Sequence, residues 1–152
     1  MLWEVISMMH KDLYIAELVF ILNRFVQEDI TVHAIKYVKE LPAECYLSQN
    51  IVGDYEAYTA IYGSEDALNL FAKKYSEFNM LEFNELSKEV ILDFLNLLNG
   101  NFVVNLSAAR DVECTLTLAN TSNLSDQLLF SDTCIIPIDF VFGQINFVFS
   151  EN

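Results

Sequence analysis

Apolar positions along this chain change period three times, and each change marks a new kind of element. From about Glu4 to Gln27, Leu13, Ile15, Ala16, Val19, Phe20, Leu22 and Val26 cover a broad face at helical spacing. From Ile30 the pattern turns to short runs rich in β-branched and aromatic residues: ITVHAIKYV, AECYLSQNIV and YEAYTAIYG. Gly53-Asp54 between the last two predicts a hairpin. Ser64 then caps a second helix, whose first turn carries Glu65 and Asp66 beside the positive end of the helix dipole and which runs to about Ser76. EFNMLEF reads as a connector, and a third helix is predicted from about Ser87, its cap, to Val104. The remainder returns to strand spacing. VECTLTLA alternates, NTSNLSDQ reads as a polar loop, and IIPIDFVFGQINFVFS predicts a hairpin turning at Gly143-Gln144.

Helix, strands, helix, helix, strands is the order of an α+β fold. The expected architecture is an α/β sandwich, with a mostly antiparallel sheet packed by long helices. At 152 residues, with no linker, low-complexity segment or internal repeat, residues 1–152 form one domain with a real core. No apolar run is uninterrupted over a membrane-spanning length, because LYIAELVFILNRF is broken by Glu17, Asn23 and Arg24. The N-terminus places Glu4 where a secretory signal needs positive charge. A soluble cytoplasmic protein without membrane insertion is expected.

Twenty-two acidic against 8 basic residues give a net charge of −14, which opposes nucleic-acid binding and fits a basic or lysine-presenting protein partner. Cys45, Cys114 and Cys134 are widely spaced and read as small buried hydrophobes, and His10 and His33 lie far apart, so no metal site is expected. Asp139 interrupts the apolar run IIPIDFVF. At a period of two it shares a face with Ile135, Pro137 and Val141, on a solvated or partner-facing side of a sheet, with Pro137 marking an edge or an interruption.

The third helix carries the chemistry. Glu89, Asp93, Asn96 and Gly100 fall at steps of four, three and four, so they form one stripe along one face. Val90, Ile91, Phe94, Leu95, Leu98 and Phe102 cover much of the rest and are candidates for the core. An ordinary amphipathic helix also has such a polar side, and Asn99-Gly100-Asn101 is a common way to stop one, with Gly100 as the C-terminal cap and both asparagines at the helix end. Against that, the apolar pattern continues through Phe102, Val103 and Val104, which places Gly100 inside the helix. There a glycine costs about 1 kcal/mol relative to alanine and permits close approach by another molecule.

Glu89-xxx-Asp93-xx-Asn96-xxx-Gly100 resembles the signature helix of the CheC/CheX/FliY chemotaxis phosphatases. That family's pattern is Asp or Ser, three residues, Glu, two residues and Asn, often with a glycine one turn on. The order of elements is similar too, and a single signature resembles the CheX branch. Two departures stand out. Asp93 and Glu89 exchange the usual lengths of the two acids, and Ala119 stands where the family often has a proline. The resemblance implies a CheX-like fold and a phosphatase that hydrolyses the aspartyl phosphate of a CheY-like response regulator. It implies that Asn96 orients the attacking water, that Asp93 pairs with the regulator's active-site lysine, that Glu89 makes a secondary contact and that Gly100 leaves room. The Mg²⁺ of that chemistry would belong to the regulator, with no cofactor held by this chain, and a sheet edge could join two copies as a homodimer. The alternatives are a CheX-like domain that binds a regulator or another protein without hydrolysis, and an unrelated acidic interaction domain.

Overall fold

The computed structural model describes residues 9–123 and 129–152. Among these, three helices lie on one face of an eight-stranded, wholly antiparallel sheet, which is an α+β architecture. The helices are α1 (His10–Phe25), α2 (Glu65–Ser76) and α3 (Glu85–Arg110). The strands are β1 (Thr31–Val32), β2 (Lys36–Val38), β3 (Cys45–Gly53), β4 (Ala57–Gly63), β5 (Cys114–Leu116), β6 (Asn120–Asn123), β7 (Asp132–Phe140) and β8 (Gly143–Glu151). The sheet runs β1-β7-β8-β4-β3-β5, with β2 beside β1 along β7 and β6 beside β5 along β3.

Local chemistry explains most of the boundaries. Ser64 accepts the backbone N–H of Ala67 at 3.1 Å and opens α2 as expected. Helix α3 starts earlier than Ser87. Asn84 is its cap and accepts from the N–H groups of Leu86 and Ser87, while the Ser87 hydroxyl accepts the Asn84 N–H at 3.3 Å, so Ser87 is the reciprocal partner. The β3–β4 turn needs Gly53, whose φ is +126° and where an added Cβ would lie 2.6 Å from the carbonyl oxygen of Glu113. Gly143, with φ +140°, serves the same purpose in the β7–β8 hairpin.

Several expectations are corrected. Helix α3 runs beyond the expected end at Val104 to Arg110; Gly100 is a mid-helix residue, as the continuing apolar pattern predicts, and Asn99-Gly100-Asn101 is not a stop. The buried stripe of α1 is Tyr14, Leu18, Ile21 and Leu22, whereas Phe20 is 57% exposed and Ala16 faces out. ITVHAIKYV forms two short strands rather than one. Asn120–Asn123, read as loop, pairs with β3 as strand β6; residues 124–127 of that loop, and 4–8 of the first helix, lie outside the described residues. Cys134 is buried, but Cys45 is exposed and Cys114 half-buried, all three as free thiols.

Strand β7 is not an edge. It pairs with β8 on one side and with β1 and β2 on the other. Pro137 sits in the gap between β1 and β2, where its carbonyl accepts the His33 N–H at 2.9 Å and its own missing N–H costs no ladder bond. Asp139 is held by His33 Nε2 at 2.6 Å and Gln144 Nε2 at 3.1 Å, and the His33 bond, ahead of Gln144, lowers its pKa. Ile135, on the same face, is buried with Tyr46, Tyr58, Ala60, Tyr62 and Val148 in a second apolar cluster. That face is therefore packed at Ile135 rather than solvated, and the β7 edge suggested for joining two sheets is already filled by this chain's own strands.

The main core lies between the sheet and the helices. Phe94, Leu95, Leu98 and Phe102 of α3 are each at most 1% exposed, and Phe94 meets Phe71 of α2 edge-to-face at 4.9 Å. Helix α3, rather than α1, is the described segment long and apolar enough to cross a membrane, at 26 residues. Its apolar side is used in packing against α1, α2 and the sheet. What remains uncovered is the opposite side, which bears the stripe.

Candidate functional site

Burial of Phe94, Leu95 and Leu98 forces the intervening turns of α3 to present Glu89, Asp93 and Asn96 outward. All three are exposed, and Gly100 follows them on the same side. A Cβ added at Gly100 would meet nothing within 4 Å, so the glycine is not required by packing within the chain. The four residues read as a stripe from the sequence are thus brought together on one accessible face.

The acids differ in their surroundings. The Asp93 carboxylate accepts a hydrogen bond from the Tyr75 hydroxyl, Oδ2 to Oη 3.1 Å, across the gap between α2 and α3. Burial, reinforced by the charge of Asp93, pushes the Tyr75 phenol up to about 12, so it remains a donor at neutral pH. The Tyr75 ring is itself fixed edge-on to Phe94, 5.3 Å between centroids. Glu89 lies one turn earlier, beside an open depression lined by Tyr75, Phe78, Leu86, Glu89 and Asp93, of which Phe78 and Leu86 are 56% and 48% exposed. An acidic pair flanked by apolar side chains suits a partner that offers a cation on an aliphatic stem.

Asn96 is anchored from behind. Its Oδ1 accepts a hydrogen bond from Gln49 Nε2 at 2.8 Å. Gln49 lies on β3 and is 2% exposed; its second Nε2 hydrogen goes to the Thr117 carbonyl at 2.9 Å, in the loop between β5 and β6. Gln49 Oε1 accepts from Asn99 Nδ2 at 2.9 Å, and Asn99 Nδ2 also donates to Thr59 Oγ1 at 2.8 Å. The Thr59 hydroxyl donates to the Gln49 carbonyl at 2.8 Å, and Tyr14 Oη donates to Asn99 Oδ1 at 2.8 Å. Burial is the leading cause that raises the Tyr14 pKa, so it stays a phenol at neutral pH. Every hydrogen of both buried amides is used, as burial in a low-dielectric interior demands.

Asn99 is therefore a fully buried network member rather than a helix-end residue. Asn101 donates to the Leu97 carbonyl one turn back, at 2.8 Å, and takes no part in the stripe. Gln49, Thr59 and Tyr14 were not singled out from the sequence. A signal for two of them existed. Gln49 stands between Leu47 and Ile51, and Thr59 between Ala57 and Ile61, at core-facing positions of strands where Gln49 and Thr59 pair directly. Ala119 follows two residues after Thr117, in the loop whose carbonyl shares the Gln49 amide with Asn96.

No protein-family model matches the chain, and no curated protein matches it in sequence. Solved structures do. The chain is similar to the chemotaxis protein CheX from Vibrio vulnificus, with TM-score 0.78 and 11% identity over 94% of this chain and 99% of that one. It is similar to CheX in the CheX–CheY–BeF3–Mg²⁺ complex from Borrelia burgdorferi, with TM-score 0.78 and 16% identity over 93% and 97%. A CheC-like superfamily protein from Shewanella sp. PV-4 gives TM-score 0.77 and 12% identity over 94% and 97%. The chain thus has the fold of the CheX and CheC-like structures over nearly its whole length.

Proposed function

We propose that this chain is a phosphatase for the aspartyl phosphate of a CheY-like response regulator, acting in the cytoplasm where such regulators work. The observation that carries the reading is the paired exposure of Asp93 and Asn96 on one face of α3, in a fold shared with a CheX structure solved in complex with CheY. An acyl phosphate is already labile, so the enzyme's task is to position a water in line with phosphorus beside charges that stabilise the transition state. A carboxamide suits this because it both accepts from and donates to a water without changing charge. Asn96 is the catalytic residue in this reading. Asp93 pairs with the regulator's active-site lysine and sets the docking register, Glu89 adds a secondary contact, and Gly100 leaves room for the regulator's loops. The Mg²⁺ is the regulator's own, and this chain supplies no cofactor. A homodimer would have to use a surface other than the β7 edge.

Asn96→Ala tests the assignment. The variant should lose acceleration of dephosphorylation of an acetyl-phosphate-labelled CheY while still binding it. Full activity in Asn96→Ala would remove Asn96 from the mechanism.

One observation favours a second reading, regulator binding without hydrolysis. Asp93 is a methylene shorter than the family's glutamate and is already engaged by Tyr75. In that case the lifetime of the phosphorylated regulator would be unchanged or longer in the presence of the chain.

A further inference from the structure

Behind Asn96, two backbone carbonyls dictate the direction of every hydrogen bond. A carbonyl can only accept. The Thr117 carbonyl therefore requires the NH₂ end of Gln49 at 2.9 Å, which turns Gln49 Oε1 toward Asn99 Nδ2. From the other side, the Gln49 backbone carbonyl takes the Thr59 hydroxyl hydrogen at 2.8 Å, so Thr59 Oγ1 must accept, and it accepts from Asn99 Nδ2. Both carbonyls impose the same orientation on Asn99, and Tyr14 Oη supplies the donor that Asn99 Oδ1 then needs. The second hydrogen of Gln49 Nε2 consequently points at Asn96, where only an oxygen can face it. A flipped Asn96 amide would set donor against donor.

We infer that Gln49 is a positioning residue for Asn96: it fixes the rotamer of that carboxamide and holds its Oδ1 inward and its Nδ2 outward before any partner arrives. The inference rests on the phosphatase reading for its kinetic consequence and on the hydrogen-bond directions for its geometry. One Oδ1 lone pair is taken by Gln49. The second lone pair and the Nδ2 hydrogens are left for a water and for the partner. Donation into Oδ1 also polarises the amide and strengthens Nδ2–H as a donor. An exposed asparagine on a helix would otherwise sample several rotamers and both amide orientations, and ordering it at the moment of reaction would slow the step. The support reaches Asn96 from the sheet, through a residue that touches neither water nor regulator.

The test uses the full chain and a purified CheY phosphorylated with acetyl phosphate. Gln49→Leu should lower the maximal dephosphorylation rate about ten-fold or more, since misplacement of a catalytic group by a fraction of an ångström is felt on that scale, while the half-saturating concentration changes less than about two-fold. An unchanged maximal rate overturns the inference. So does a rise in half-saturating concentration that matches the fall in rate, because a general weakening of the fold or the docking face would produce it. Should Gln49→Leu fail to fold, nuclear magnetic resonance on the unmodified chain decides. A through-hydrogen-bond coupling from Gln49 Nε2 to Asn96 Cγ, with an Asn96 side-chain amide as ordered as the backbone, supports the inference. An Asn96 amide that tumbles freely overturns it. If the unmodified chain leaves CheY phosphate untouched, the phosphatase reading falls, and the same resonance measurement still decides the role of Gln49.

Discussion

Replacing Gly100 by alanine should move stability and docking in opposite directions. Gly100 lies sixteenth in a 26-residue helix, well away from either end. Its φ is not among the positive ones, and a Cβ built on it meets nothing within 4 Å beyond the backbone of its own helical turns. The substitution therefore creates no clash and removes the entropic penalty of a glycine in a helix interior, about 0.8–1.0 kcal/mol. For a domain of this size that is a rise in Tm of about 2–4 °C. Calorimetry or urea unfolding checks this arm, with an unchanged m-value showing that the same surface is exposed on unfolding. The docking arm is read from the half-saturating concentration for dephosphorylation of CheY. If Gly100 is there to let a partner's backbone approach, the added methyl should raise that concentration even though the protein is more stable. Lost stability would refute the helical geometry at Gly100. Gained stability with unchanged docking would refute clearance as the reason for the glycine. Because a stabilised variant cannot be inactive through unfolding, the two arms cannot be confused.

Tyr75→Phe keeps the edge-on contact with Phe94 and deletes only the hydroxyl on Asp93. A half-buried phenol donating to a carboxylate that water also reaches contributes about 0.5–1 kcal/mol, so a freed Asp93 should bind the regulator about two- to five-fold more tightly in a titration; weaker binding would mean that Tyr75 holds Asp93 in its docking position. Stability should also fall in alkali. Burial is the leading cause that raises the phenol pKa of Tyr14, Tyr46, Tyr55 and Tyr75, the last to about 12. In the unfolded chain tyrosines ionise near 10, so above about pH 10 the unfolded state binds fewer protons than the native state. The stabilisation is complete below that pH and is lost as pH rises through the folded pKa values. Thermal unfolding followed from about pH 8 upward should show it, and tyrosinate absorbance that rises fully near pH 10 in a still-folded chain would contradict it.

What the sequence reveals and what it hides divide along a physical line. Ser64 opens α2 where expected because a cap and an acidic first turn act within four residues, and nothing distant can override them. The exposed stripe of α3 is equally local, since burying Phe94, Leu95 and Leu98 leaves only one direction for Glu89, Asp93 and Asn96. Failures begin where the deciding partner is remote. Helix α1 is apolar nearly all round, so its own residues do not choose between Phe20 and Tyr14; the sheet and α3 choose, stacking Tyr14 on Phe149 at 4.5 Å. NTSN has no apolar residue and a single β-branched one, yet its backbone pairs with β3 because an edge position asks for N–H and C=O groups rather than for apolar side chains. Asn99 looks like a helix stop beside Gly100, but it stands four residues after Leu95 and three before Phe102, on the buried face, where Gln49 and Thr59 from two other strands meet it. No residue within the helix announces that meeting, because it depends on strand register. The exposed half of the candidate site is thus written in one short helical segment, while the hydrogen-bonded half behind Asn96 is distributed over β3, β4, α1 and the β5–β6 loop. A sequence match to the stripe alone would therefore recur in chains unable to hold the carboxamide still. The more discriminating pattern is a polar residue at a core-facing position of each of two paired strands, behind an asparagine three residues past the exposed one.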